Sequence, residues 1–272
     1  VVDDAFLSKW NKVLFNVFFP FIMINNVYKV DFKAAINMSL VGYVLGFTIL
    51  LIGLSCMMVP KLIKEGTSQG AIIQGLYRSN TMLFGLPLVE SVFGAENTGI
   101  FATTLAFAIP VFNVAAVYVL EKYRGGSADF KGLILKVLKN PILIGTFTGL
   151  VINFIQLPIP TFASKVISTL SSAFAMVILG ASLQLNSLGN NAKRIVSVVF
   201  LRLVGIPFIA VVVGYYVFHF TGMNLFTVLV IMGTPMASAS YTMAREMNSD
   251  HELAAPFVAI STFARTFTIF LW

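Results

Sequence analysis

Charge is scarce in this chain. Of its 272 residues only 11% are Asp, Glu, Lys or Arg, whereas 58% are hydrophobic, and the mean hydropathy is +0.90. Soluble domains carry about 25% charged residues to keep their surfaces hydrated, so this composition excludes a water-soluble enzyme or binding module. Cysteine is limited to Cys56, which rules out a disulfide framework. The two histidines, His219 and His251, are too few to build a metal cluster, and neither a metal nor a cofactor is expected. Acidic clusters are also missing. Asp3–Asp4 is the one adjacent acidic pair, and it precedes the first apolar run, where it reads as a helix cap. Lipid-phosphate chemistry needs carboxylates grouped around Mg²⁺, and hydrolysis needs a positioned base or metal, so an integral-membrane enzyme is poorly served.

Long apolar runs are abundant instead. A helix rises 1.5 Å per residue, so about 20 apolar residues cross a hydrocarbon core of about 30 Å. The chain reads as an all-α, polytopic membrane protein with nine spans, at about 13–28, 34–59, 70–93, 98–120, 133–156, 162–185, 195–219, 223–244 and 253–272. Short connections rich in turn formers separate them, such as GGSAD at 125–129 and LGNN at 188–191.

The net charge of +7 is a topology signal. One side of the alternating spans carries Lys9, Lys12, Lys61, Lys64, Lys122, Arg124, Lys131, Lys136, Lys139, Lys193, Arg194 and Arg245, twelve in all. The other carries three, Lys29, Lys33 and Lys165, and Arg78, Arg202 and Arg265 are left inside spans. The excess of basic residues on cytoplasmic loops then puts the Val1 end in the cytoplasm and the Trp272 end outside. Nucleic acid is not an expected partner, because no basic face exists apart from those loops. The lipid bilayer is.

Two spans contain helix breakers. RSNTMLFGLPL at 78–88 places Gly85 and Pro87 in an apolar run, and GTPM at 233–236 echoes it with Gly233 and Pro235. The first span runs from inside to outside, the second the other way. Related motifs in opposite orientation mark an inverted repeat, divided here as 1–128 and 129–272. Five spans in the second half against four in the first, and a start at Val1, lead to the expectation of one further helix ahead of this chain, ten in total.

A single proline in a membrane helix usually makes only a kink, and Pro20, Pro110 and Pro207 fit that description. Paired interruptions differ, because irregular backbone at membrane depth survives only inside protein or along a cavity, which points to a midplane site. Half-helix N-termini carry unsatisfied N–H groups and about half a positive charge, so two converging ones favour an anion. Asn80, Thr81, Ser238 and Ser240 add neutral polar groups able to orient a carboxylate. An arginine at a span centre costs about 2.5–3.5 kcal/mol on insertion scales, so Arg78 needs a partner. It is either a bidentate carboxylate clamp, or a structural cation paired with Glu90, Glu246 or a carbonyl, or a side chain that snorkels inward. Arg265 stands similarly, whereas Arg202, nearer the cytoplasmic end of its span, reads as an anchor.

SNTMLFGLPL resembles the fourth helix of the auxin efflux carrier family, which includes plant PIN-type carriers and bacterial malate and malonate permeases. TPMASASYTMAREMNSD resembles that family's ninth helix, with Pro235, Ala244 and Glu246 at the matching spacing, and KNP at 139–141 resembles the start of its sixth. The similarity runs from about residue 3 to 272. It implies two inverted five-helix repeats, as in bile-acid transporters and sodium–proton antiporters, with two broken helices crossing at the substrate site. The crossovers then fall at Ser79–Asn80–Thr81 and at Thr234–Pro235–Met236. Ser79 stands where PIN-type carriers usually have proline, and Met236 where a polar residue is common. The implied activity is secondary transport of a small mono- or dicarboxylate by alternating access. Arg78, Ser79, Asn80, Thr81, Thr234, Pro235, Met236 and Ser238 are the candidate substrate-binding residues. A coupling ion, H⁺ or Na⁺, and a homodimer stay open. A cation–proton antiporter on the same architecture is the alternative, and it wants acids at the crossover that neither motif supplies.

Overall fold

A computed structural model describes residues 4–28, 36–94, 97–124, 130–158 and 185–272, with isolated residues between 160 and 181. The helices are α1 (Asp4–Val13), α2 (Phe19–Tyr28), α3 (Met38–Leu62), α4 (Gly66–Tyr77), α5 (Leu86–Phe93), α6 (Gly99–Tyr123), α7 (Phe130–Leu138) and α8 (Pro141–Phe154). They continue with α9 (Leu185–Phe200), α10 (Ile206–Tyr216), α11 (Gly222–Gly233), α12 (Ala239–Glu246) and α13 (His251–Thr268). Wide π-helical turns at Leu14–Phe18, Thr81–Gly85 and Leu201–Gly205 join α1 to α2, lead into α5, and join α9 to α10. Among the described residues the protein is all-α, with one isolated β-type pairing.

Eight of the nine expected spans fall on described helices; the span at 162–185 lies mostly outside the described residues, as do Lys29, Lys33, Lys165 and the 125–129 loop. Among the described residues four continuous helices are long and apolar enough to cross a bilayer: Met38–Leu62, Gly99–Tyr123, Asn191–Tyr216 and His251–Leu271. α3 is peripheral, with Ile49, Leu50, Leu54, Met57 and Met58 facing outward, while α6 is central. An apolar exterior of this kind is stable only against lipid.

Two expectations need correction. LGNN at 188–191 is not a turn but lies within α9, whose sequence is amphipathic enough to carry polar residues in a helix. The expected span 133–156 is two helices. The Asn140 side chain accepts the Ile142 N–H at 3.0 Å and Pro141 follows, a start signal that separates α7 from α8.

α8 packs along α2 through a close approach of backbones. A Cβ on Gly145 would lie 2.5 Å from the Pro20 carbonyl oxygen, and one on Gly149 would lie 2.8 Å from Ile24 Cα. Glycines four apart on one face let two membrane helices come into van der Waals contact, which is the attraction available where apolar burial offers nothing.

The loops sort into two ends. At one end the Ser68 hydroxyl donates to Asp250 (2.5 Å), Ser249 donates to the Thr67 carbonyl (2.7 Å), Lys136 pairs with Glu121 (3.1 Å) and Arg194 approaches Glu65 (3.8 Å). Asn11 reaches Glu246 at 2.8 Å near the same end. At the other end Tyr43, Phe218 and Phe220 cluster, Phe93 meets Phe226, and Asn153 donates to the Tyr28 carbonyl (2.8 Å). These are the two groups of loops that the charge alternation separates.

Candidate functional site: the crossing of two interrupted helices

α4 stops at Tyr77. Arg78 turns to extended backbone (φ −84°, ψ 104°), Asn80 has ψ 59°, and helix resumes at Thr81. α11 likewise stops at Gly233, Thr234 is extended (φ −69°, ψ 155°), and helix resumes at Ala239. The two gaps lie against each other. The Asn80 N–H donates to the Pro235 carbonyl at 2.9 Å, and the Ala237 N–H donates to the Arg78 carbonyl at 3.1 Å, so Ser79 and Met236 pair in antiparallel sense. Each strand-like gap thus satisfies backbone groups the other has freed, which is how broken helices persist at membrane depth.

The breakers act differently from one motif to the other. Gly233 closes α11 and Pro235 lies inside the second gap. Gly85 and Pro87, expected to break the first helix, lie in resumed helix instead. Gly85 has ordinary helical angles (φ −73°, ψ −51°), and a Cβ there would meet Phe101 at 2.9 Å and Val230 at 3.0 Å. Pro87 falls in the first turn of α5, just after the wide turn in which the Leu86 N–H reaches the Thr81 carbonyl. Proline donates no N–H, and the wide turn before it is a place where a helix can absorb the missing bond without breaking. The gap itself is made by Arg78, Ser79 and Asn80, whose polar side chains find partners outside the helix.

Those partners are specific. Ser79 donates its hydroxyl to the Ile231 carbonyl (2.5 Å) and accepts from the Arg202 guanidinium. Arg202 also donates to the Leu76 carbonyl (3.2 Å) and the Thr234 carbonyl (3.0 Å). It is fully buried, so the expectation of a cytoplasmic anchor is wrong: its side chain lies in the crossing. Arg78, also buried, donates to Asn113 Oδ1 at 2.9 Å and contacts the Met243 thioether, not Glu90. Glu246 is engaged by Asn11. Asn113 in turn donates to Thr146 at 3.1 Å. Arg265, one helical turn beyond Ser261, places Nη1 over Gly233, 3.4 Å from where a Cβ would be. Among the described residues none of these three arginines has a carboxylate within ion-pair distance.

The backbone N–H groups expected to face an anion are partly taken. Those of Asn80 and Ala237 make the crossing, and that of Met236 donates to Ser261 Oγ at 3.1 Å. The first N–H groups of the resumed helix, from Thr81 onward, have no intrahelical acceptor by the geometry of a helix start. Buried side-chain groups without a hydrogen-bond partner among the described residues gather here too: Asn80 Nδ2, Thr234 Oγ1, Ser240 Oγ, Gln74 Oε1 and Arg265 Nη1. Thr81 is buried, Met236 is buried with its sulfur against Gly75, and Ser238 is half-buried at the start of α12. The eight candidate residues therefore adjoin one crossing, with Asn80 and Thr234 offering unpartnered groups and Ser79 committed to structure.

The comparison with protein families matches the description "Membrane transport protein" over residues 1–272. The chain belongs to the membrane transport protein family. This is the auxin efflux carrier-like family that the two crossover motifs resemble. A relative within reach of sequence comparison, described as an uncharacterized transporter of Methanothermobacter thermautotrophicus, is 23% identical over 283 residues, spanning 100% of this chain and 90% of that protein. For this membrane transport protein, two residues that motif reading passed over, Asn113 and Ser261, now stand beside the crossing, together with Arg265 and with Arg202, which the sequence read as an anchor. A polar residue in the middle of an otherwise apolar span was the available signal for Asn113 and Ser261.

Proposed function

We propose that the protein is a secondary transporter of small organic anions, mono- or dicarboxylates, working by alternating access at the crossing of α4/α5 with α11/α12. The observation that carries this reading is the buried crossing itself. It combines unpartnered neutral donors and acceptors, Asn80 Nδ2 and Thr234 Oγ1, with the Arg78 guanidinium, whose partners are uncharged. A thioether is a weak acceptor, so part of the Arg78 fork is poorly satisfied until an oxyanion arrives. Asn80 and the free N–H groups from Thr81 would hold the carboxylate, with Thr81, Thr234 and Ser238 completing the polar wall. The two halves, 1–128 and 129–272, would act as inverted repeats that rock about this fixed site, with the Val1 end cytoplasmic.

A cation–proton antiporter would need a carboxylate at the crossing, and Arg78–Thr81 and Thr234–Ser238 contain none. The test is uptake of labelled mono- and dicarboxylates into proteoliposomes, with and without pH and sodium gradients. Saturable uptake of at least one acid supports the reading. Proton- or sodium-driven cation exchange with no acid uptake overturns it.

A further inference from the structure

The fully buried guanidinium of Arg202 has an unusual coordination. Its oxygen partners are the Leu76 carbonyl in the last turn of α4, the Thr234 carbonyl just beyond α11, and the Ser79 hydroxyl in the first gap. Two are main-chain carbonyls at helix C-terminal ends and the third is a neutral hydroxyl. The neighbouring charged group is another cation, Arg265. Among the described residues no carboxylate balances Arg202.

What balances it is the pair of broken helices. A helix C-terminus carries about half a negative charge on its unsatisfied carbonyls, and two such ends converge here, about one elementary charge together. Converging carbonyls and a hydroxyl, at helix ends unwound near the membrane midplane, are also the ligand chemistry of a bound alkali cation. The π-helical turn Leu201–Gly205 that carries Arg202 widens its helix just where the side chain enters the crossing.

We infer that Arg202 is the resident cation of the crossing: its guanidinium fills the carbonyl-lined position where an exchangeable Na⁺ or K⁺ would otherwise sit, and it fastens the α4 end to the α11 end. The inference rests on the crossing geometry and not on the identity of the transported acid. It adds that this position is closed to a coupling metal ion, since it is already occupied by a covalently attached charge. The Nε of Arg202 has no partner among the described residues, and the contacts there are made by the two terminal nitrogens, as expected for a group gripping a small oxygen cage from one side.

The test is thermal unfolding of the full chain in detergent, in NaCl, KCl, LiCl and choline chloride at equal ionic strength, for wild type, Arg202→Ala and Arg202→Lys. Wild type is expected to show the same Tm in all four salts. Arg202→Ala should melt lower in choline and regain stability saturably with one of the small alkali cations, because an ion that binds only the folded form raises Tm with its concentration. Arg202→Lys, which keeps a point charge, should melt between the two and stay indifferent to the salt. A cation-specific, saturable rise in the wild-type Tm overturns the inference. So does an Arg202→Ala protein that melts at the wild-type temperature, or one that is destabilised and rescued by none of the cations. If Arg202→Ala yields no folded protein, Arg202→Lys decides: indifference to the salt supports the inference and cation-specific stabilisation overturns it. Failure here would leave acid uptake untouched, so it is distinguishable from failure of the transport reading.

Discussion

Asn80 has two jobs that one substitution separates. Its backbone N–H holds the crossing at 2.9 Å from the Pro235 carbonyl, and its side-chain Nδ2 is buried without a partner among the described residues. Asn80→Ala keeps the first and removes the second, so folding should survive. A hydrogen bond to a charged group contributes about 1.5–3 kcal/mol, so affinity for the acid identified by uptake should fall roughly 10- to 150-fold. Isothermal titration on a variant with wild-type Tm measures it; unchanged Kd would remove Asn80 from the site. Arg78→Lys distinguishes a substrate clamp from a structural cation. The fork now spans Asn113 and Met243, and lysine cannot reproduce a planar bidentate contact. A clamp loses roughly tenfold or more in affinity, of the order of one charged hydrogen bond. A purely structural arginine leaves Kd unchanged while Tm falls.

At the scale of elements, membrane helices gain little from hiding apolar surface from lipid and depend on close packing. The α2–α8 pair rests on Gly145 and Gly149, where an added Cβ would overlap the α2 backbone. Gly145→Ala should therefore destabilise the protein by about 1–3 kcal/mol, the usual cost of overpacking. Gly46→Ala, in α3 with nothing within 4 Å of its Cβ position, is the control. There alanine should be neutral or stabilising by up to about 1 kcal/mol, since it is the better helix former. Thermal unfolding in one detergent compares the two, and equal effects would mean that the α2–α8 approach is looser than described.

The whole molecule has two ends with different chemistry. One gathers the ion pairs and hydroxyl–carboxylate contacts around Glu65, Glu121 and Asp250, the other an aromatic cluster around Tyr43. Basic residues crowd the first group of loops, so that end should face the cytoplasm. Replacing Cys56 by serine leaves a chain without cysteine, in which Lys64→Cys and Thr221→Cys report the two ends. Both positions are exposed. An impermeant maleimide should label Thr221→Cys in intact cells and reach Lys64→Cys only after permeabilisation. The reverse pattern would invert the topology.

How much was legible depends on what sets each feature. A bilayer fixes the length of apolar segments and biases their flanking charges, so the all-α class and the apolar helices could be read from composition and position alone. The two interrupted spans were also visible, because polar residues are costly at that depth and rarely placed there without need. The break in the first helix was not to be found from local breakers, and the crossover at Ser79–Asn80–Thr81 came only from the family resemblance. Gly85 and Pro87 are the stronger local breakers, but the helix absorbs Pro87 beside its wide turn, and the gap opens at Arg78–Asn80 because Pro235, Ala237 and Ile231, over 150 residues away, supply the hydrogen bonds. Arg202 was misread for the same reason. Its position along the span suggested an interface, whereas burial and partner choice depend on which carbonyls another part of the chain leaves open. Those are properties of tertiary contacts, and local propensity carries no record of them.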